Sequence, residues 1–183
     1  MRDSTRTHGI LTNELRETGR VFLQSVIGTS AESWQFKPAP DRWSIAETAE
    51  HVAIVEASIL RLLTTKLAGQ PLPAEARASQ KAKDAQITML MFDRSTRRPA
   101  PDLVKPTGRF AESAQAAEAF NASRSAIIDW LDTTELDLRG LGVPHPVLGL
   151  LDGKQWVLFA AAHCQRHTRQ ILEVKQAPGY PGT

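Results

Sequence analysis

Four long segments of this chain repeat their apolar residues at the period of an α-helix, and no segment alternates them convincingly at the period of a strand. The first spans about 7–27, with Ile10, Leu11, Leu15, Val21, Phe22 and Val26 on one stripe and Gly28 as a stop. The second opens on S-I-A-E, where Ser44 and Glu47 have the spacing of a capping box. It continues through Ile45, Val52, Val55, Ile59, Leu62 and Leu63 to Gly69. The third spans about 111–131, with Ala114, Ala117, Phe120, Ile127, Ile128 and Leu131 on its packing face. The fourth starts at Asp152, with Gln155 completing a second capping box, and ends near Gln176 before Pro178. Four amphipathic helices of this length bury their apolar faces most simply as a four-helix bundle. The expected fold is therefore all-α: one domain over 1–183, with long loops and an extra short helix or lid between helices two and three. That extra element falls in the polar, Ala-rich stretch 74–95, which turns apolar at Ile87, Leu90 and Phe92. A long loop follows, R-R-P-A-P-D-L-V-K-P-T-G-R-F, and loops of this length in a small domain usually serve a function or are disordered.

The composition narrows the partners. The net charge of +2 is spread along the chain, with no basic stripe interleaved with aromatics, so nucleic acid is not expected. The longest apolar run, W-V-L-F-A-A-A, is far below the roughly 20 residues that span a bilayer. The N-terminal stretch lacks the apolar region of a secretory signal, and one cysteine excludes an internal disulfide. A soluble, cytoplasmic protein acting on a small molecule is expected, with no membrane partner. A homodimer is left open.

Two histidines stand out on the fourth helix. His163 and His167 are four apart and share the stripe of Trp156, Ala160, Ile171 and Val174, so they point into the bundle. Their Cβ atoms then lie roughly 6 Å apart, close enough to converge on one ion. His51 falls among Thr48, Val55 and Ile59 on the second helix. Bundles build metal sites from inward side chains of facing helices, and three imidazoles leave coordination positions open, as catalytic sites do. The competing reading is a pair of polar residues at a bundle end. Zincin chemistry is not supported, because the glutamate of H-E-x-x-H is replaced here by Cys164. Cys164 points about 100° away from His163 and reads as a small buried residue.

Other residues divide between structure and site. Glu47, one turn before His51, either only closes the capping box or also serves as a carboxylate behind the metal. Glu56 lies on another face and reads as an ion-pair partner. His8 and His145 read as solvated or structural, with His145 within reach of the site mouth. Trp34, Trp43, Trp130 and Trp156 read as core anchors, and Trp43 as a hydrophobic staple.

The motifs K-P-x-P-D-R-W-S-I-A-E-x-x-E-H-V-x-x-V-E, P-T-G-R-F, H-P-V-L-G and W-V-L-F-A-A-A-H-C-Q-R-H-T-R-Q-I resemble the DinB-like (YfiT-like) four-helix-bundle metalloproteins over about 11–181. The resemblance implies a divalent ion held by His51, His163 and His167, with water completing its coordination. It also implies activities such as those of family members that are transferases using low-molecular-weight thiols, or a thiol-dependent isomerase. Many members have no known activity. Imidazole ligands suit Zn, Ni, Co or Fe. Such an ion can acidify a bound thiol co-substrate, favouring S-transfer to a small electrophile, or can activate water for hydrolysis. A non-catalytic protein that binds metal or a small ligand under stress is the third expectation. Substrate is expected to enter beside the 99–110 loop, where Arg109 would steer an anionic group.

Overall fold

A computed structural model describes residues 2–95 and 99–182; Thr96, Arg97 and Arg98, at the start of the long loop, lie outside the described residues. The helices are α1 (Arg2–Val26), α2 (Ala31–Gln35), α3 (Ile45–Thr65), α4 (Ala74–Phe92), α5 (Ser113–Thr133) and α6 (Gly153–Lys175). Helices α1, α5, α3 and α6 pack in that cyclic order and form the four-helix bundle. The two capping boxes form as the sequence predicts. Ser44 and Glu47 start α3, and Asp152 and Gln155 start α6, in each case by reciprocal bonds between the cap and the residue three positions on. A third box, between Glu112 and Gln115, opens α5.

The core has two parts. One gathers Leu11, Leu15, Ile59, Leu63, Ile127 and Leu131. The other gathers Phe22, Val26, Trp34, Ile45, Phe120 and Ile171, with the Phe22 and Phe120 rings 4.5 Å apart. Each large side chain buried in this way contributes about 1.5–3 kcal/mol relative to exposure, before the entropy of ordering is subtracted. Among the described residues no helix is long and apolar enough to cross a membrane.

Three features differ from the expectation. The extra helix α4 is not short: it has 19 residues and packs along α6. Among the described residues its buried apolar ones are Ile87 and Met91, one turn apart, with Gln80 the buried polar one, while Phe92 stays exposed under the guanidinium of Arg169. Its remaining surface is so polar that periodicity reveals only a fragment.

The second difference is a hairpin where no strand was expected. Strands β1 (Gly142–His145) and β2 (Gly149–Asp152) pair antiparallel, Gly142 opposite Asp152 and His145 opposite Gly149. Four-residue strands are too short to display alternation, and Pro144 inside β1 argues against a strand on sequence grounds. Gly142 is required at its position, since a Cβ there would sit 2.9 Å from the Leu151 carbonyl and 2.6 Å from a Leu72 methyl. Asp84 of α4 ties this region to α6 by accepting bonds from Arg139, Lys154 and Gln155. The third difference concerns the tryptophans: Trp34 and Trp156 are buried anchors, but Trp43 and Trp130 are only half-buried.

Candidate metal centre

Helix α3 supplies His51, and α6 supplies His163 and His167 from adjacent turns. All three are buried, with 5–8% of their surface exposed. Their ring centroids lie 4.5–5.0 Å apart, and one ligand atom from each falls within 4.8 Å of the others. The Nε2 atoms of His51 and His163 are 3.1 Å apart. Two nitrogens bound at about 2.0–2.1 Å to one ion, at angles between 90° and tetrahedral, lie about 2.9–3.4 Å from each other. The pair therefore already has the spacing of two ligands on one ion, and a ligand atom of His167 lies within 4.8 Å of both.

The opposite edges of two rings are held by acceptors. His51 Nδ1 lies 2.7 Å from the Val104 carbonyl oxygen, which can only accept, so Nδ1 carries the proton and the Nε2 lone pair faces inward. His167 Nδ1 lies 2.9 Å from Gln170 Oε1, and with the amide oxygen assigned to that position the same tautomer follows. Metal-ligating histidines are oriented in this way.

Burial holds all three imidazoles below their ordinary value. His163 is pushed well below by burial and by the neighbouring His167 and His51, and His167 by burial and by His51. For His51 burial outweighs the Val104 bond. Neutral imidazole is the form that ligates. The donor set thus fits a divalent ion: three neutral nitrogens, with no carboxylate or thiol in the group.

The other singled-out residues take other places. Cys164 is fully buried against α1, its thiol facing the Thr18 carbonyl, and burial pushes it up to about 12. Glu47 accepts from the Ser44 amide at 2.8 Å and from Lys37 Nζ at 2.7 Å. Glu56 pairs with Arg124 inside the bundle. His145 sits behind Phe159, with ring centroids 4.6 Å apart, and accepts the Val147 and Leu148 amides at Nδ1. Burial lowers His145 to about 4. Arg109 is exposed and lies 3.6 Å from Glu50 rather than among the histidines.

Sequence reasoning missed four participants. Trp43 places its ring 5.1 Å from His51 and 6.4 Å from His167, stacked at 25° on the latter. Phe159 covers His163 at 5.2 Å. Gln170 could have been found from its position one turn after His167. The Val104 carbonyl could not, because a backbone acceptor leaves no mark in side-chain chemistry.

The burial of three imidazoles fixes a pH dependence. In the unfolded chain each titrates near 6.5, whereas in the folded, metal-free protein each does so lower. Above 6.5 both states are neutral and the stability is fully present. As pH falls below 6.5 the unfolded chain binds protons that the folded one refuses. Stability then drops by up to about 1.4 kcal/mol per pH unit for each imidazole that remains neutral. Melting temperatures of metal-free protein at pH 7.5, 6.0 and 5.0 should fall in that order, and less steeply in His163→Ala. Equal slopes in the two proteins would contradict the assignment.

The family model of the DinB superfamily matches residues 14–171 of the chain. The uncharacterized protein YuaE of Bacillus subtilis (strain 168) is 24% identical over 149 residues, covering 81% of this chain and 87% of YuaE. No solved structure matches the chain.

Proposed function

This chain belongs to the DinB superfamily, and we propose that it is a metal-dependent enzyme that joins a low-molecular-weight thiol to a small electrophile. When bound, a divalent ion such as Zn, Ni, Co or Fe supplies Lewis acidity that lowers the pKa of a coordinated thiol. His51, His163 and His167 hold it. The Val104 carbonyl and Gln170 keep two of the rings in the ligating tautomer. Trp43 and Phe159 flank the rings with apolar surface, which limits competing water.

The observation that carries this reading is the donor group itself, three neutral imidazoles with no protein nucleophile or base among them. Cys164 is protonated and turned toward α1. A free thiol titrates at about 8.5 and bulk water at about 15.7, so coordination has less far to bring a thiol to its nucleophilic form at neutral pH. The oxygens of Glu47, the carboxylate one turn before His51, are engaged by Ser44 and Lys37.

The test is turnover of chlorodinitrobenzene with glutathione, bacillithiol or mycothiol by metal-loaded protein. Wild type should exceed His167→Ala by at least about 10²-fold with one of these thiols, the scale of losing a metal-orienting contact or more. Equal rates with every thiol would overturn S-transfer and move metal-dependent hydrolysis or plain ligand binding ahead.

A further inference from the structure

Glu50 precedes His51 on α3 and points to a different side of the helix, about 100° around the axis. It is 2% exposed, yet it carries a carboxylate. Its four hydrogen-bond partners all come from the loop that follows α4. Oε1 accepts the Thr107 amide at 2.7 Å and the Thr107 hydroxyl at 3.1 Å. Oε2 accepts the Gly108 amide at 2.8 Å and the Arg109 amide at 3.0 Å. Three consecutive amides converge on one anion because Gly108 turns the chain with φ +83°, a conformation that side chains other than glycine's rarely tolerate. Three residues earlier on the same strap is Val104, whose carbonyl accepts the His51 Nδ1 proton. Pro101 and Pro106 restrict the backbone on either side of it.

We propose that Glu50 is a positioning residue of the metal centre: its carboxylate clamps the 104–109 strap so that the Val104 carbonyl holds His51 with Nε2 facing His163 and His167. This rests on the reading that the three histidines bind a divalent ion. The clamp needs a carboxylate in particular, because all four partners are donors. The side-chain amide introduced by Glu50→Gln would set its own N–H groups against at least one of them. With the clamp broken, the Val104 carbonyl drifts and His51 is free to exchange its proton between Nδ1 and Nε2. A ring protonated at Nε2 cannot ligate through that atom.

The test compares wild type, Glu50→Gln and Leu63→Val, the last a core truncation away from the strap. Three quantities are measured: the melting temperature, the Zn²⁺ Kd by competition with a chelator, and the His51 tautomer from long-range ¹H–¹⁵N spectra of metal-free, ¹⁵N-histidine-labelled protein. Wild type should show the Nδ1–H tautomer. Glu50→Gln should show a mixture, and its Kd should rise about 10–100-fold, the usual range for losing the support of a ligand. Leu63→Val should melt lower with the tautomer and Kd unmoved, which separates positioning from general stability. A Glu50→Gln protein with wild-type tautomer and Kd overturns the proposal. Should Glu50→Gln fail to fold, Thr107→Ala removes one of the four bonds and should still raise Kd by several-fold; an unchanged Kd there overturns the proposal equally. If wild type itself binds none of Zn²⁺, Ni²⁺, Co²⁺ and Fe²⁺, the metal reading fails, while the tautomer comparison still decides whether Glu50 positions His51.

Discussion

Replacing Glu56 with alanine should remove about 3–5 kcal/mol of folding stability, a fall in melting temperature of roughly 6–20 °C for a domain of this size. Glu56 and Arg124 form a bidentate pair with side chains only 3–4% exposed. Arg124 reaches from α5 into the middle of the bundle. Beyond Glu56 on α3, it donates to the Leu15 carbonyl at 2.7 Å and the Thr18 hydroxyl at 3.0 Å on α1, and to the Ala160 carbonyl at 3.4 Å on α6. One guanidinium therefore joins all four bundle helices, and truncating its partner strands a positive charge in the core. The double variant Glu56→Leu with Arg124→Met should recover much of the loss, because apolar side chains of similar volume often replace a buried pair at little cost. Thermal melts of the single and double variants check this. A loss below about 1 kcal/mol for Glu56→Ala would mean that water reaches the pair. The pair and the site share two helices: Ala160 lies one turn before His163 on α6, and Glu56 lies five residues after His51 on α3.

The second large effect is on metal affinity. His163→Ala or His167→Ala should raise the Kd for Zn²⁺ by roughly 10²- to 10³-fold, taking the 10–16 kcal/mol of a four-ligand zinc site as about 2.5–4 kcal/mol per ligand. Cys164→Ser should leave Kd unchanged, because its thiol faces Thr18 on the α1 side. Saturating metal at 100 times Kd should stabilise wild type by about 2.7 kcal/mol and the histidine variants far less. A chelator should lower the wild-type melting temperature without unfolding the bundle at 25 °C, since both core clusters are built without the ion. Complete unfolding on chelation would make the ion a structural element.

The bundle was legible because its helices each bury one face, and burial on one face is what the 3.6-residue period records. His51, His163 and His167 were legible for the same reason, as polar residues on apolar stripes. Arg124 escaped notice although it too is buried, because a single arginine on a helix reads as surface until its partners are seen. Features that depend on the path of the backbone left weaker marks. The 142–152 hairpin is held by a glycine without room for a Cβ and by backbone bonds, neither of which alternates with hydropathy. Trp43 reads equally well as a staple or as a site wall, and only the approach of α6 to α3 decides between them. The strap over His51 depends on a backbone carbonyl and on Glu50, whose neighbourhood shows no periodicity that would reveal an anchored loop.

X-ray absorption at the zinc edge of the loaded protein tests the metal centre most directly. Three imidazole nitrogens should appear at about 2.0–2.1 Å with the outer-shell scattering of their rings, and oxygen donors should fill the remaining positions. A sulfur scatterer near 2.3 Å from the protein alone, or fewer than three imidazoles, would contradict a centre built from His51, His163 and His167.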